Sequence, residues 1–172
     1  MIQKKICMLG AFATGKTSLV ARFVKSLFSD KYITTVGVKV DKKVVTTAAG
    51  EITLILWDLH GEDELQKIRS SYLRGSAGIL LIVDTTRRAT LTKAIELQRQ
   101  ARDALGDVPF VTALNKVDLV GEWDMPDLEM AQLVNAGWTM LPTSAKTGEG
   151  VEELFNALCQ MMTHAEAERD RS

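Results

Sequence analysis

The stretch Gly10-Ala11-Phe12-Ala13-Thr14-Gly15-Lys16-Thr17 decides the fold of this chain. It matches the pattern G-x-x-x-x-G-K-[ST], in which glycines let successive backbone N–H groups turn toward one point. The apolar run 6–9 before it predicts a strand, and apolar residues at helical spacing follow it from Leu19 to Leu27. A loop in this position binds phosphate because the helix N-terminus adds the positive end of a dipole. The stretch therefore predicts a phosphate-binding loop in an α/β protein.

Two side chains of this loop carry specific chemistry. Lys16 supplies a mobile positive charge, and the Thr17 hydroxyl is an oxygen ligand suited to Mg²⁺ beside the β- and γ-phosphates. A plain glycine-rich turn is the alternative, but a chance match in this length is on the order of one in a hundred. The predicted phosphate-site residues are Gly10, Ala13, Thr14, Gly15, Lys16, Thr17 and Ser18.

The rest of the chain alternates strand and helix patterns. Valines alternating over 36–45 lead through Ala49-Gly50 into the apolar run 52–57, which predicts a hairpin. Two further short apolar runs, at 79–83 and 110–114, are typical of strands buried on both faces. Amphipathic helices are expected near 88–105 and 151–162. These elements predict a P-loop NTPase, a three-layer α/β sandwich with a mostly parallel six-stranded sheet and about five helices.

Composition favours one ordinary globular domain. The 172 residues are 46% hydrophobic and 25% charged, which excludes disorder and allows a substantial core. We expect one domain over residues 1–164 and a frayed polar tail over 165–172. The 21 basic and 22 acidic residues nearly cancel, so general attraction to nucleic acid or anionic membrane is not expected.

Cysteine usage and hydropathy indicate a cytoplasmic protein. Cys7 and Cys159 lie in apolar stretches without the spacing of metal or redox sites, which fits buried thiols in a reducing compartment. No apolar run approaches the ~18 residues of a membrane span. The final residues contain no cysteine of the kind that carries a prenyl group, so no lipid anchor is expected.

The second decisive motif is Asn115-Lys116-Val117-Asp118, directly after the apolar run 110–114. Guanine offers two donors, N1–H and the exocyclic amine, which the carboxylate of Asp118 can accept together. Adenine would leave that buried carboxylate unpaired, at a cost of several kcal/mol. Asn115 is expected to tie the surrounding loops together. The motif therefore predicts GTP and GDP rather than ATP.

A third segment, Thr143-Ser144-Ala145-Lys146, follows the last expected strand. The backbone N–H of Ala145 is positioned to donate to guanine O6, and the stems of Lys116 and Lys146 to cover the ring. Taken alone the segment is equally well explained as a polar loop. The predicted base-site residues are Asn115, Lys116, Asp118, Ser144, Ala145 and Lys146.

In this order the motifs, with Trp57-Asp58 before Gly61, resemble the Ras-like small GTPases over nearly the whole chain. The pattern is most similar to the Rab-like branch. The resemblance implies that Phe28 contacts the guanine edge.

The resemblance also implies two switch loops around the γ-phosphate. In the first, residues 32–37, Thr35 would complete the Mg²⁺ shell. In the second, Asp58-Leu59-His60-Gly61 is similar to the family's D-x-x-G, so Asp58 would reach Mg²⁺ through water and the Gly61 N–H would meet the γ-phosphate. Loss of that phosphate would release both loops.

Two residues depart from the family's pattern. Glu62 stands where the family places a glutamine that orients the attacking water, and its negative charge would face an anionic γ-phosphate. Phe12 stands where the family carries a small residue, and its ring either obstructs an incoming arginine or folds outward. The expected catalytic residues are Lys16, Thr35, Gly61 and Glu62.

These departures leave two functions open. The first is a GTP/GDP switch with slow intrinsic hydrolysis, which binds effector, exchange and activating proteins at residues about 30–40 and 58–74. The second is a hydrolysis-deficient pseudo-GTPase that acts as a nucleotide-bound scaffold. An ATP-using kinase or ATPase is disfavoured by Asp118.

Overall fold

The chain folds into a mostly parallel sheet with helices on both faces. The computed structural model describes residues 2–24, 32–33, 38–59 and 70–172. Within these ranges the strands are β1 Ile2–Gly10, β2 Tyr32–Ile33, β3 Lys39–Thr47, β4 Gly50–Asp58, β5 Ser76–Asp84, β6 Phe110–Asn115 and β7 Met140–Pro142. The helices there are α1 Lys16–Val24, α2 Ser70–Leu73, α3 Ala89–Leu105, α4 Asp127–Asn135 and α5 Val151–Arg169.

The strand order in the sheet is β2-β3-β4-β1-β5-β6-β7. Strands β4, β1, β5, β6 and β7 run parallel, while β3 and β2 are antiparallel to their neighbours. The predicted hairpin is confirmed as β3 and β4. The predicted mostly parallel sheet is also confirmed, and the two-residue strand β2 extends its edge to seven strands in the described chain.

Alternation along the strands produces two cores, one on each face of the sheet. Ile6 and Met8 of β1 pack with α1 and α5, whereas Cys7 and Leu9 pack on the opposite face with α3. Successive side chains of a strand point to opposite faces, so a strand covered on both faces is apolar throughout. This is why β1, β5 and β6 are continuous apolar runs in the sequence.

Helix α5 extends into the segment that was predicted to be a frayed tail. The expectation of a frayed segment from residue 165 onward is wrong for residues up to Arg169, because α5 continues to that residue. Glu166 on this extension forms an ion pair with the buried Lys4 of β1. The helix therefore stays attached to the sheet beyond its last buried apolar residue, Met162.

Two short helices were not individually predicted. Helix α4 has no fully buried residue, and only the partly buried Met130 and Leu133 pack against the core. Helix α2 buries Leu73 alone. Such sparse apolar spacing gives little periodic signal. Among the helices in the described ranges, none is long and apolar enough to cross a membrane.

An aromatic stack joins α1 to α5. The rings of Phe23 and Phe155 are parallel within 1° with centroids 3.7 Å apart, and both side chains are buried. The Lys43 ammonium lies 3.8 Å from the Phe23 ring centroid and covers its other face. The stack thereby fixes the helix that follows the phosphate loop.

Replacing Phe155 with alanine should lower the free energy of unfolding by about 3–5 kcal/mol, since it leaves a cavity under Phe23. Urea unfolding followed by circular dichroism measures the change. Leu128→Ala is the matched control, because Leu128 is 75% exposed and its truncation should cost less than about 0.5 kcal/mol. A similar, small effect for both variants would contradict the buried stack.

Candidate nucleotide-binding site

The loop between β1 and α1 turns through left-handed backbone at two residues. Ala13 has φ +59° and Gly15 has φ +101°. Alternating right- and left-handed residues aim successive N–H groups into one concavity, which is the geometry of an anion nest. A non-glycine residue in this conformation costs of order 1 kcal/mol, so neighbouring contacts must hold Ala13 in place. The sequence pattern did not reveal this strain.

Both glycines of the loop are required by close packing. A Cβ added to Gly10 would lie 2.6 Å from the carbonyl oxygen of Ile82, and one added to Gly15 would lie 2.4 Å from Nδ2 of Asn115. These contacts press the loop against β5 and against the residue that begins the predicted base site. The phosphate and base sites thus share one packed junction.

Lys16 is buried beneath the loop. Its Nζ donates to the carbonyl oxygens of Gly10 at 3.0 Å and Ala11 at 3.1 Å. Burial lowers the pKa of Lys16; the nearby Asp58 carboxylate partly opposes that shift and the Arg87 guanidinium adds to it. Within the described part of the chain the ammonium group donates to backbone carbonyls, and it is ready to pair with a stronger anion.

Thr17 and Asp58 bring two oxygen groups together from different elements. The Thr17 hydroxyl at the start of α1 donates to Oδ2 of Asp58 at the end of β4, at 2.5 Å. Asp58 is fully buried, and Thr17 is exposed. A hydroxyl and a carboxylate side by side next to an anion nest form a donor set that fits Mg²⁺, which prefers oxygen ligands.

Asn115 joins three loops. Its Nδ2 donates to the carbonyl oxygen of Thr14 at 2.9 Å, and its Oδ1 accepts from the Thr143 hydroxyl and the Ala145 N–H, each at 3.2 Å. Asn115 is buried, and so are Thr14 and Thr143. The Ala145 N–H, which was expected to donate to guanine, donates here to Asn115.

Asp118 is oriented by Ser144. The Ser144 hydroxyl donates to Oδ1 of Asp118 at 2.7 Å and accepts from the Thr147 N–H at 3.1 Å. Asp118 is only partly buried, so the expectation of a buried carboxylate is wrong for the structure described here. A hydroxyl donor to one carboxylate oxygen fixes the plane of the group and directs its remaining lone pairs.

Arg22 was missed by sequence reasoning. From the last turn of α1 its Nε donates to the carbonyl oxygen of Ala145 at 2.9 Å, and its Nη2 donates to the carbonyl oxygen of Lys146. Helix α1 therefore reaches the predicted base loop at its C-terminal end and the phosphate loop at its N-terminus. Nothing in the sequence around Arg22 signals a contact more than 120 residues away.

Lys116 adopts left-handed backbone, with φ +69°. Its Nζ donates to the carbonyl oxygen of Ala13 at 2.9 Å and pairs with Oδ2 of Asp84 at 2.8 Å. The side chain predicted to cover the guanine ring thus also spans from the base loop to the phosphate loop. Lys146 is exposed, as is Ser18 on α1.

Asp84 is the second functional candidate that the motifs did not reveal. This buried carboxylate ends β5 and accepts from Lys116, from Arg87 Nε at 2.9 Å, and from the Thr86 N–H and hydroxyl at 2.9 and 2.6 Å. Burial opposes its ionisation, but the hydrogen bonds from Lys116, Thr86 and Arg87 prevail and hold the pKa of Asp84 well below its usual range. The only sequence signal is an acid that ends an apolar strand.

Phe12 points outward. Its side chain is 72% exposed, and its carbonyl oxygen accepts from Nη2 of Arg87 at 2.7 Å. Phe28, Thr35, Gly61 and Glu62 lie outside the described residues, so their proposed roles stay predictions.

A cavity of about 360 Å³ lies away from this constellation. It opens between α3 and α5 at the amino ends of β5 and β6, where Ile79 and Phe110 line it. None of the predicted nucleotide-site residues contributes to it.

Comparison with known proteins extends over most of the chain. The sequence profile described as Ras family matches residues 5–164. Ras-related protein Rab-4 from Dictyostelium discoideum is 32% identical over 153 residues, which cover 88% of this chain and 75% of that protein. Ras-related proteins Rab-4B from Homo sapiens and Rab-4A from Danio rerio are each 33% identical over 153 residues, 88% of this chain and 72% of theirs.

The low pKa of Asp84 predicts a pH dependence of stability. Its ionised form contributes stability above the unfolded pKa of about 3.9, and that contribution is lost as the pH falls toward the folded pKa. The difference in free energy of unfolding between the wild type and Asp84→Asn should therefore be equal at about pH 7 and pH 5 and shrink below about pH 4.

Urea unfolding at a series of pH values measures this difference. Asp107→Asn is the control, since Asp107 is exposed and pairs with the exposed Arg102 at 3.3 Å. It should change stability little at any pH. A wild-type advantage over Asp84→Asn that persists undiminished at about pH 3 would show that the Asp84 charge is not the source.

Proposed function

Because this chain belongs to the Ras family of small GTPases, we propose that it switches between GTP- and GDP-bound forms with slow intrinsic hydrolysis. The resemblance inferred from the motifs is thus confirmed at the level of the family. One structural observation supports the proposal independently of membership of the Ras family. The anion nest, the Thr17–Asp58 oxygen pair and the Asp118–Ser144 pair all belong to loops at the carboxyl edge of one parallel sheet.

The phosphates would bind the N-terminus of α1. The N–H groups of residues 13–18 and the ammonium group of Lys16 supply positive potential there. A phosphate oxygen would replace the neutral backbone carbonyls that Lys16 contacts. Since an ionised phosphate oxygen adds charge–charge attraction to the ammonium group that a neutral carbonyl does not supply, this exchange favours binding.

Thr17 and Asp58 would hold Mg²⁺, with Thr35 as a third ligand in the triphosphate form. When bound, the ion neutralises charge on the β- and γ-phosphates. The Thr17 hydroxyl would turn its lone pairs toward the cation, and Asp58 would accept from a coordinated water.

The base would lie against the Asp118 carboxylate. Ser144 leaves Oδ2 of Asp118 to accept from guanine N1–H or the exocyclic amine, and Oδ1 can share its second lone pair. The Ala145 N–H would exchange a 3.2 Å contact with Asn115 for guanine O6. Phe28 and the stems of Lys116 and Lys146 would enclose the ring.

Hydrolysis would use Lys16, Thr35, the Gly61 N–H and Glu62. The first three stabilise charge on the γ-phosphate. A carboxylate at position 62 accepts a hydrogen bond from water but repels the attacked phosphate, so we expect slow turnover. The alternative, a hydrolysis-deficient scaffold, is favoured by the same residue and by the exposed ring of Phe12.

Partners would read the nucleotide through the two switches. We propose that exchange, activating and effector proteins contact residues about 30–40 and 58–74, because only these loops would change with the γ-phosphate. We further propose that residues 1–164 form the GTPase domain and that the protein acts in the cytoplasm, where its free thiols Cys7 and Cys159 stay reduced.

Replacing Asp118 with asparagine should lower GTP affinity on the order of 100-fold, because the amide cannot accept from both guanine donors. Xanthine nucleotide, which carries an oxygen in place of the amine, should bind Asp118→Asn more tightly than it binds the wild type. Competition against a fluorescent GDP analogue measures both. Asp124→Asn, an exposed acid of the same loop region, is the control and should leave both affinities unchanged. Unaltered GTP affinity in Asp118→Asn would refute this account of base selection.

Replacing Glu62 with glutamine should raise the single-turnover rate of GTP hydrolysis about tenfold or more, because the amide orients water without repelling the γ-phosphate. Glu51→Gln, an exposed acid at the start of β4, should leave the rate unchanged. A rate that stays undetectable in Glu62→Gln, with GTP demonstrably bound, would support the scaffold function instead.

A further inference from the structure

The carboxylate of Asp84 lies between two cations that both reach the phosphate loop. Lys116 Nζ is 2.8 Å and Arg87 Nε is 2.9 Å from the same oxygen, Oδ2. Lys116 also donates to the carbonyl oxygen of Ala13 at 2.9 Å, and Arg87 donates to that of Phe12 at 2.7 Å. The carbonyls of two consecutive residues, Phe12 and Ala13, are thus bound by cations that Asp84 holds.

This arrangement acts on the strained part of the loop. Ala13 and Lys116 are the two non-glycine residues with positive φ in the described chain, and the Lys116–Ala13 bond joins them. A left-handed alanine persists only when its surroundings over-determine it. Because a peptide carbonyl and the N–H that follows it share one plane, bonds that fix the Phe12 and Ala13 carbonyls also fix where the next N–H groups point.

We propose that Asp84, through Arg87 and Lys116, is a positioning residue that sets how long the nucleotide stays bound. This inference rests on the proposed guanine-nucleotide binding. We call the three residues the Asp84 clamp. Asp84 itself would touch neither base nor phosphate.

The clamp has two arms with different consequences. The Arg87 arm ends at the phosphate loop alone, through Phe12. The Lys116 arm begins two residues before Asp118, so it also sets the position of the base-reading carboxylate. Loss of Arg87 should therefore weaken binding of the phosphates without changing discrimination between bases. Loss of Asp84 releases both arms and should weaken base discrimination as well.

The experiment measures dissociation of GDP and of IDP, whose base lacks the exocyclic amine, from full-length variants by chase with excess unlabelled nucleotide. Arg87→Gln should release GDP about tenfold faster than the wild type, with the GDP-to-IDP preference unchanged. Asp84→Asn should release GDP faster still and should reduce that preference at least about threefold. Arg88→Gln is the matched control, because this exposed neighbour has the same charge and should release GDP at the wild-type rate.

GDP binding by the wild type distinguishes failure of the proposed nucleotide-binding function from failure of the Asp84 clamp. A wild type that does not bind GDP refutes the proposed function, whereas a wild type that binds it while Arg87→Gln and Asp84→Asn release it at the wild-type rate refutes the clamp. Faster release by Asp84→Asn with a lower melting temperature but an unchanged GDP-to-IDP preference shows a merely structural role and also overturns the proposal. If Asp84→Asn does not fold, the rate for Arg87→Gln relative to Arg88→Gln decides alone.

Discussion

Parallel pairing at the centre of the sheet fixes where every described functional side chain lies. Met8 pairs with Asp58, Gly10 with Ile82, and Asp84 with Asn115. The carboxyl ends of β1, β4, β5 and β6 therefore form one edge, from which the candidate phosphate loop, Asp58 and the candidate base loop extend. A shift of one residue in any of these pairings would move each side chain from one core to the other, where its neighbours differ, so packing on both faces protects the register.

The sequence predicted the parts of the molecule that depend on local spacing. The phosphate loop and the Asn115–Asp118 motif are each confined to fewer than ten residues, and their chemistry follows from residue type. The buried strands were predictable because sheets covered on both faces need apolar runs. The boundaries of α5 were less predictable: its last turns are polar, and its attachment at Glu166 depends on Lys4 at the other end of the chain.

Contacts between distant residues explain what the sequence did not reveal. Arg22 holds the carbonyls of residues 145 and 146, and Asp84 collects Lys116 and Arg87, yet neither residue belongs to a motif. An arginine on a helix surface and an acid at a strand end are common in any protein. Their roles arise only when the fold brings separate loops together. The outward position of Phe12 likewise depends on the loop backbone rather than on residue type.

Helix α1 has a consequence for how the whole ligand binds. Its first turn would face the phosphates of the proposed nucleotide, while Arg22 in its last turn holds the loop that would face the base. A short helix that contacts both ends of one ligand acts as a chelator does, since binding of one end of the ligand pre-positions the other. Pyrophosphate and a free nucleoside would each bind far more weakly than the intact nucleotide, and the product of their affinities would fall short of its affinity. Neither fragment contacts both ends of the helix, so binding of one end cannot pre-position the other.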